Sequence, residues 1–259
     1  MQKQLEDKLT LVNFRDLGGL EVANGKKIKS NLIYRTTMFN PKTPTDFKYI
    51  ENMHLDSVLD LRSPGEAQEQ KDILPDGVEY IDACVFNGGK FKDMAPTKKT
   101  KNMMLFISRK KVDELYSLMI ELYAYMPYVK EAFSKVFKCM DEHKTFAFHC
   151  TSGKDRTGVA AMLIELTFGR TYDQVLDQYL HSNDARKEYN EQLMKKINKI
   201  PTAQFRKDFA KYSLGVHKEL IDSAYNSIFS KYDTFKDFLK DVYGITDEQI
   251  KDWEDYYLE

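Results

Sequence analysis

The sequence predicts an α/β protein in which helices layer a β-sheet and the C-terminal part is largely helical. Two observations carry this. Over the first third, short strand-like runs alternate with capped helix starts. From Thr157 onward, helix-starting devices and helical periodicity dominate almost without interruption.

The elements follow in order. Leu20–Val22 and Lys27–Lys29 flank Asn24-Gly25, a strong short-range hairpin signal. Asn31–Thr37 and Ser57–Arg62 are rich in strand-forming residues. Between them Thr43-Pro44 opens a helix, with Thr as cap and Pro in the first helical position. Ser63-Pro64-Gly65-Glu66 repeats the device as a capping box, and Glu79–Phe86 is a further strand. Asn87–Asn102, with its Gly, Lys and Pro, is expected as a loop, Leu105–Met126 as a helix, and Pro127 as a break. In Tyr128–His143 the residues Val129, Ala132, Phe133, Val136, Phe137 and Met140 share one helical face, a core stripe. Thr145–Phe148 is a short apolar strand leading into His149-Cys150, and Gly158–Phe168 is apolar all round, as in a helix buried on several sides. Thr171-x-x-Gln174 and Thr246-x-x-Gln249 start later helices, and the aromatic stripes Phe205, Phe209, Tyr212 and Phe235, Phe238, Tyr243 are read as packing.

Composition narrows the function classes. The chain has 259 residues, 42% hydrophobic and 31% charged, enough for one sizeable core, and one domain over 1–259 is expected. A net charge of −1 argues against a generic nucleic-acid or membrane binder. The three cysteines, Cys84, Cys139 and Cys150, show no CxxC spacing and only five histidines accompany them, so neither a structural zinc site nor a disulfide framework is expected. Cys84 is read as an inert buried thiol. No secretory signal is visible and Val159–Phe168 is too short to span a membrane, so a cytoplasmic monomer is expected, or a secreted one if a leader was trimmed.

The chemistry is carried by His149-Cys150-Thr151-Ser152-Gly153-Lys154-Asp155-Arg156-Thr157-Gly158. A loop of this kind, running from a strand into a helix N-terminus, converges backbone amides on an anion. The same donors stabilise a thiolate, lowering a cysteine pKa to roughly 3.5–7.5 from about 8.5. Cys150 is thus a candidate nucleophile. Arg156 supplies a planar fork for two phosphate oxygens. Gly153 lets the backbone bend close to the anion, and Gly158 lets the helix pack tightly. The Thr157 hydroxyl is placed to stabilise the sulfur as leaving group.

These residues resemble the protein tyrosine phosphatase superfamily, whose phosphate loop reads HCxxGxxRTG. The atypical bacterial tyrosine and phosphoinositide phosphatases, with HCxxGKDRTG, are more similar still. Asn13-Phe14-Arg15-Asp16-Leu17-Gly18-Gly19 looks like their NFRDLGG signature, and Asp60-Leu61-Arg62-Ser63 and Tyr179-Leu180-His181-Ser182-Asn183 look like further family segments. The resemblance implies a central twisted sheet flanked by helices, a helical lid, no metal and no cofactor. It also implies hydrolysis of phosphotyrosine, of phosphoserine or phosphothreonine, or of phosphoinositides. Cys150 would then be the nucleophile and Arg156 the phosphate clamp. Thr151, Ser152, Gly153, Lys154 and Thr157 would bind phosphate, with His149 in support. The lid would lie at about 87–126.

The general acid stays open. The Trp-Pro-Asp pattern of many relatives is absent. Asp155 is the leading candidate, the alternative being that it only orients Arg156, and Asp93 and Asp60 follow. Lys154 either contacts further phosphates or adds positive potential. From Gly88 to Lys111, eight cations stand against one acid, Asp93, a net of +7 that is either a solvated face or an attraction for acidic peptides and the headgroups of a peripheral membrane contact. Arg15 and Asp16 are expected as an ion pair bracing the phosphate loop. Rival functions are an inositol polyphosphate phosphatase, a rhodanese-like sulfurtransferase and a non-catalytic phosphate-binding module.

Overall fold

The computed structural model of the protein describes residues 10–86, 91 and 106–259. Five strands form one mixed sheet: β1 Arg15–Asp16, β2 Ile33–Thr36, β3 Ser57–Asp60, β4 Glu79–Asp82 and β5 Phe146–His149. Their order is β1-β2-β5-β3-β4, with β1 antiparallel to β2 and the other pairs parallel. β5 therefore lies between β2 and β3, and all three are buried along their length. β4 is an exposed edge strand and ends at Asp82, short of the Glu79–Phe86 expected from sequence, because Ala83–Phe86 leave the edge and pack into the larger core.

Side chains alternate across the sheet as the two-residue period requires. Ile33, Leu59, Phe146 and Phe148 enter the larger core, whereas Tyr34, Val58 and Ala147 enter a smaller one on the opposite side. The smaller core is closed by helix α1, Pro44–Asn52, through Ile50. Helices α3 Arg109–Tyr125, α4 Lys130–Asp141, α5 Asp155–Thr167, α6 Tyr172–Ala185 and α9 Lys218–Phe229 contribute to the larger core. α5 is buried from Arg156 to Thr167, as its all-round apolar sequence requires.

The capping signals act where they were read. Thr43, Ser63, Thr171 and Thr246 each close a capping box, at α1, at α2 (Pro64–Glu69), at α6 and at α11 (Asp247–Tyr257). Helices α7 Lys187–Asn198, α8 Gln204–Leu214 and α10 Phe235–Phe238 complete the helical C-terminal part. The Asn24-Gly25 hairpin forms as a single bridge, Glu21 to Lys27, and Lys27 then exchanges two backbone hydrogen bonds with Glu259. The stripe of α4 is buried, and Tyr116 stacks edge-on against Phe209 and Tyr212, so those aromatics pack as expected. No helix among the described residues is long and apolar enough to cross a membrane. Most of the expected loop, and with it the first part of the expected lid, including Lys90, Lys92, Asp93, Lys98, Lys99 and Lys101, lies outside the described residues, whereas the rest of the lid range is helix α3.

Candidate active site

His149–Gly158 joins the end of β5 to the start of α5 at the middle of the sheet. Unlike α1, α2, α6 and α11, helix α5 has no side-chain cap. Its first amides are left for whatever the loop encloses. Three successive loop carbonyls are held by side chains from elsewhere in the chain. The Thr37 hydroxyl donates to Thr151 O (2.7 Å), Arg186 Nη1 to Ser152 O (2.8 Å), and both Asn13 Nδ2 (2.6 Å) and Arg35 Nη2 (3.1 Å) to Gly153 O. A planar trans peptide points its N–H opposite to its C=O, so carbonyls held outward turn the following amides inward. Gly153 sits at φ +64°, and a Cβ there would lie 2.5 Å from Thr36 O, so both the turn and the close approach require glycine.

Cys150 is buried at the base of the loop. Burial pushes its thiol up, but the Arg156 guanidinium and the Thr157 hydroxyl and amide outweigh it, and the net direction is below the ordinary thiol value. The Thr157 hydroxyl makes no conventional hydrogen bond.

Arg156 is held by Glu66, Nη1 to Oε2 and Nη2 to Oε1, each at 2.8 Å. Nη1 also donates to Leu61 O (3.3 Å), and the guanidinium rests on the Phe86 ring with 4.9 Å to its centroid. A guanidinium has five hydrogens. Glu66 takes the end-on pair and Leu61 the outer Nη1 hydrogen. This leaves Nε–H and the second Nη2 hydrogen on one edge, a fork matched to two oxygens of a phosphate. Glu66 Oε1 also accepts from the Thr151 hydroxyl (2.5 Å), and Oε2 from Ser63 N and Oγ. Its carboxyl is held at about 2: burial opposes this, but Arg156, Thr151 and Ser63 prevail.

The hydrogen bonds of Asp155 go to Lys154 and Tyr123. Its carboxylate accepts from Lys154 Nζ (3.0 Å) and from the Tyr123 hydroxyl (2.6 Å), and Tyr123 is 2.9 Å from the Tyr179 hydroxyl. Burial raises its carboxyl, yet Lys154 and Tyr123 bring it below the usual value. Lys154 is buried and also donates to Gly215 O (2.9 Å).

Behind the loop, Arg62 pairs with both Asp60 and Asp72, and the Tyr80 hydroxyl donates to Asp60 (2.8 Å). His149 Nε2 lies 3.3 Å from Asp72 Oδ2. Asp60, Asp72 and His149 are metal-ligating types within 4.8 Å of one another, and the Arg62 guanidinium hydrogen-bonds to both carboxylates. Asp60 is held at about 2, with Arg62 and His149 outweighing burial.

The expected Arg15–Asp16 ion pair is a correction. Arg15 and Asp16 are neighbours in β1, where successive side chains take opposite faces. Arg15 donates to Gln178 O (2.7 Å) and Ser182 Oγ (2.9 Å) of α6, while Asp16 accepts from the amides of Gly18 and Asn31. Asn13 and Arg35 brace the loop instead. Sequence reasoning missed them, along with Glu66, Tyr123 and Arg186. Arg35 left one signal, a charged residue inside a strand destined for full burial. Glu66 was already explained by its capping box, so nothing prompted a second role.

A cysteine on an amide-lined loop, with an arginine fork beside it, defines a site for a tetrahedral oxyanion. A model of the tyrosine phosphatase family matches residues 8–259, and the chain belongs to that family. It is a phosphoric monoester hydrolase. A Cupriavidus necator protein, by name a candidate tyrosine-protein phosphatase, is 27% identical over 243 residues, covering 93% of this chain and 85% of that one. The crystal structure of P. aeruginosa TpbA matches 73% of this chain and 89% of its own at 11% identity, with a TM-score of 0.30.

Proposed function

We propose that the protein hydrolyses phosphate monoesters through a phosphocysteine at Cys150, with phosphotyrosine-bearing proteins as first substrates. The observation that carries this reading is the free Nε–Nη2 edge of Arg156 beside a buried thiol held below its ordinary pKa. The Cys150 thiolate attacks phosphorus, and the ester oxygen leaves with a proton from Asp155. Water then attacks phosphorus, Asp155 takes its proton, and the sulfur departs as thiolate. Thr151, Ser152, Gly153 and Thr157 would offer amides to the phosphate oxygens, and His149 would support the loop. Asp155 is the acid in this reading because it stands beside Arg156 with a side chain 30% exposed, whereas Asp60 is buried behind the loop.

Phosphoserine, phosphothreonine and phosphoinositides are further substrates to test. Lys154 is buried and spends two of its three donors on Asp155 and Gly215, which leaves one hydrogen for a second phosphate. Phosphotyrosine therefore has the better support.

Turnover of phosphotyrosine peptide, phosphoserine peptide and phosphatidylinositol phosphates should be compared for wild type and Cys150→Ser. The variant should lose turnover on all of them while still binding phosphate. Retained turnover would refute the phosphocysteine. If phosphoinositides are turned over and Lys154→Ala selectively lowers that rate, the lipid reading gains over the protein one.

A further inference from the structure

Two phenols are left over by this reaction, and both are buried. Tyr123, on α3, and Tyr179, on α6, come from different helices and meet hydroxyl to hydroxyl at 2.9 Å. Such hydroxyls, cut off from water, need partners. Tyr123 donates to Asp155 Oδ1 at 2.6 Å, a charge-assisted length. With its hydrogen committed there, its oxygen accepts from Tyr179, so the chain runs in one direction, Tyr179 to Tyr123 to Asp155. Tyr179 is fixed in turn. Its ring lies against Gly158, where an added Cβ would come within 2.9 Å of it.

We propose that Tyr123, backed by Tyr179, is a positioning residue for the Asp155 carboxyl, fixing its direction and stabilising the carboxylate left when its proton goes to the ester oxygen. This deepens the reading of Asp155 as general acid and rests on it. Tyr123 keeps its own proton throughout: Asp155 loses one as the ester bond breaks and regains one from water as the phosphocysteine is hydrolysed. Because Tyr123 stands on α3, the carboxyl is set only while that helix holds its place beside α9, the helix it packs on most closely.

The groups facing Asp155 are Lys154, Arg156 and Cys150 on its own segment, Tyr123 on α3, Tyr179 on α6, Arg186 at the end of α6 and Tyr212 on α8. Of these, Tyr123 and Lys154 hydrogen-bond to the carboxylate, and Tyr123 can lose its hydroxyl with almost no change in shape. Removing a donor from the ionised form raises the carboxyl pKa.

The test is the kcat–pH profile, measured on aryl phosphates of rising leaving-group pKa. It compares wild type, Tyr123→Phe, Tyr179→Phe, Asp155→Asn and the Tyr123→Phe/Asp155→Asn pair. Asp155→Asn should abolish one limb. Tyr123→Phe should displace that same limb to higher pH by about one unit, the size expected for a hydrogen bond to a charged group. Tyr179→Phe should do so by less. Poor leaving groups should slow about tenfold in Tyr123→Phe, and the double variant should be no slower than Asp155→Asn alone. The pH dependence of Cys150 alkylation by iodoacetamide should not move, which a merely loosened loop would not permit. If Asp155→Asn removes a limb that Tyr123→Phe leaves in place, or the two losses multiply, the positioning role is refuted and the acid survives. If Asp155→Asn removes no limb, the acid reading and this proposal fall together.

Discussion

Glu66→Gln should damage stability and catalysis together, and the structure gives the size of both effects. The wild-type carboxylate accepts from both Arg156 Nη atoms, from Thr151 and from the start of α2. A glutamine keeps the shape but turns two of its own hydrogens toward one Nη group. Breaking a buried ion pair on one side costs roughly 3–5 kcal/mol. The pKa gives an independent figure. The carboxyl is buried, with 3% of its side chain exposed, and is lowered from 4.5 to about 2. At about 1.4 kcal/mol per unit this is roughly 3 kcal/mol. The melting temperature should then fall by on the order of 10 °C.

The sign with pH follows. A lowered carboxyl contributes stability that is fully present above its unfolded value and lost as pH falls through its folded one. The wild type should lose this contribution between about pH 4.5 and 2, and the variant should lack that slope. Catalysis should fall about a hundredfold in kcat/KM, the scale of a misplaced reacting group. Cys150 alkylation should move to higher pH, because Arg156 is the strongest influence lowering the thiol. Ser63→Ala removes the cap and one donor to Glu66 but leaves the Arg156–Glu66 pair: it should cost about 1 kcal/mol and lower kcat/KM far less than Glu66→Gln. A Glu66→Gln enzyme with a lowered melting temperature but unchanged kcat/KM and alkylation profile would reduce Glu66 to a helix cap and refute the clamp.

Two further outcomes follow from the same geometry. Gly153→Ala should cost about 1–2 kcal/mol for the left-handed backbone plus overlap with Thr36, and should abolish phosphate binding by calorimetry even where the chain stays folded. His149 is raised above its ordinary value, burial being outweighed by Asp72 and Asp60, so its contribution is present below about pH 6.5 and lost as pH rises through the folded value. In Asp72→Asn the urea-derived stability should be flatter across that range than in wild type, and an unchanged slope would refute the pairing.

What the sequence made legible divides by distance along the chain. The capping boxes, the α4 stripe and the strand running into Cys150 depend on residues a few positions apart, and they stand where periodicity and capping place them. Within the loop, Gly153 has a local reason written into its backbone. The partners of the loop do not. Asn13 and Gly153 are 140 residues apart, Arg35 and Gly153 118, and Tyr123 and Asp155 32, and no spacing rule connects them. Arg15 and Asp16 were misread for the same reason: adjacency suggested an ion pair, but a strand sends neighbours to opposite faces.

This division also bears on which substitutions separate fold from chemistry. The carbonyl clamps reach the loop from β2, from the segment before β1 and from the junction of α6 and α7, so each clamp is also a tertiary tie between elements. Arg35 is fully buried, and burial lowers its guanidinium to about 10 even with Glu165 nearby as counter-charge. Truncating it removes one of the two donors to Gly153 O and takes one counter-charge from Glu165, which Arg170 still pairs, so the fold and phosphate binding change together. Tyr123 differs because its hydroxyl ends on a carboxylate within the site, while its ring alone fills the core. Loss of that hydroxyl changes the charge balance at Asp155 and leaves the packing in place.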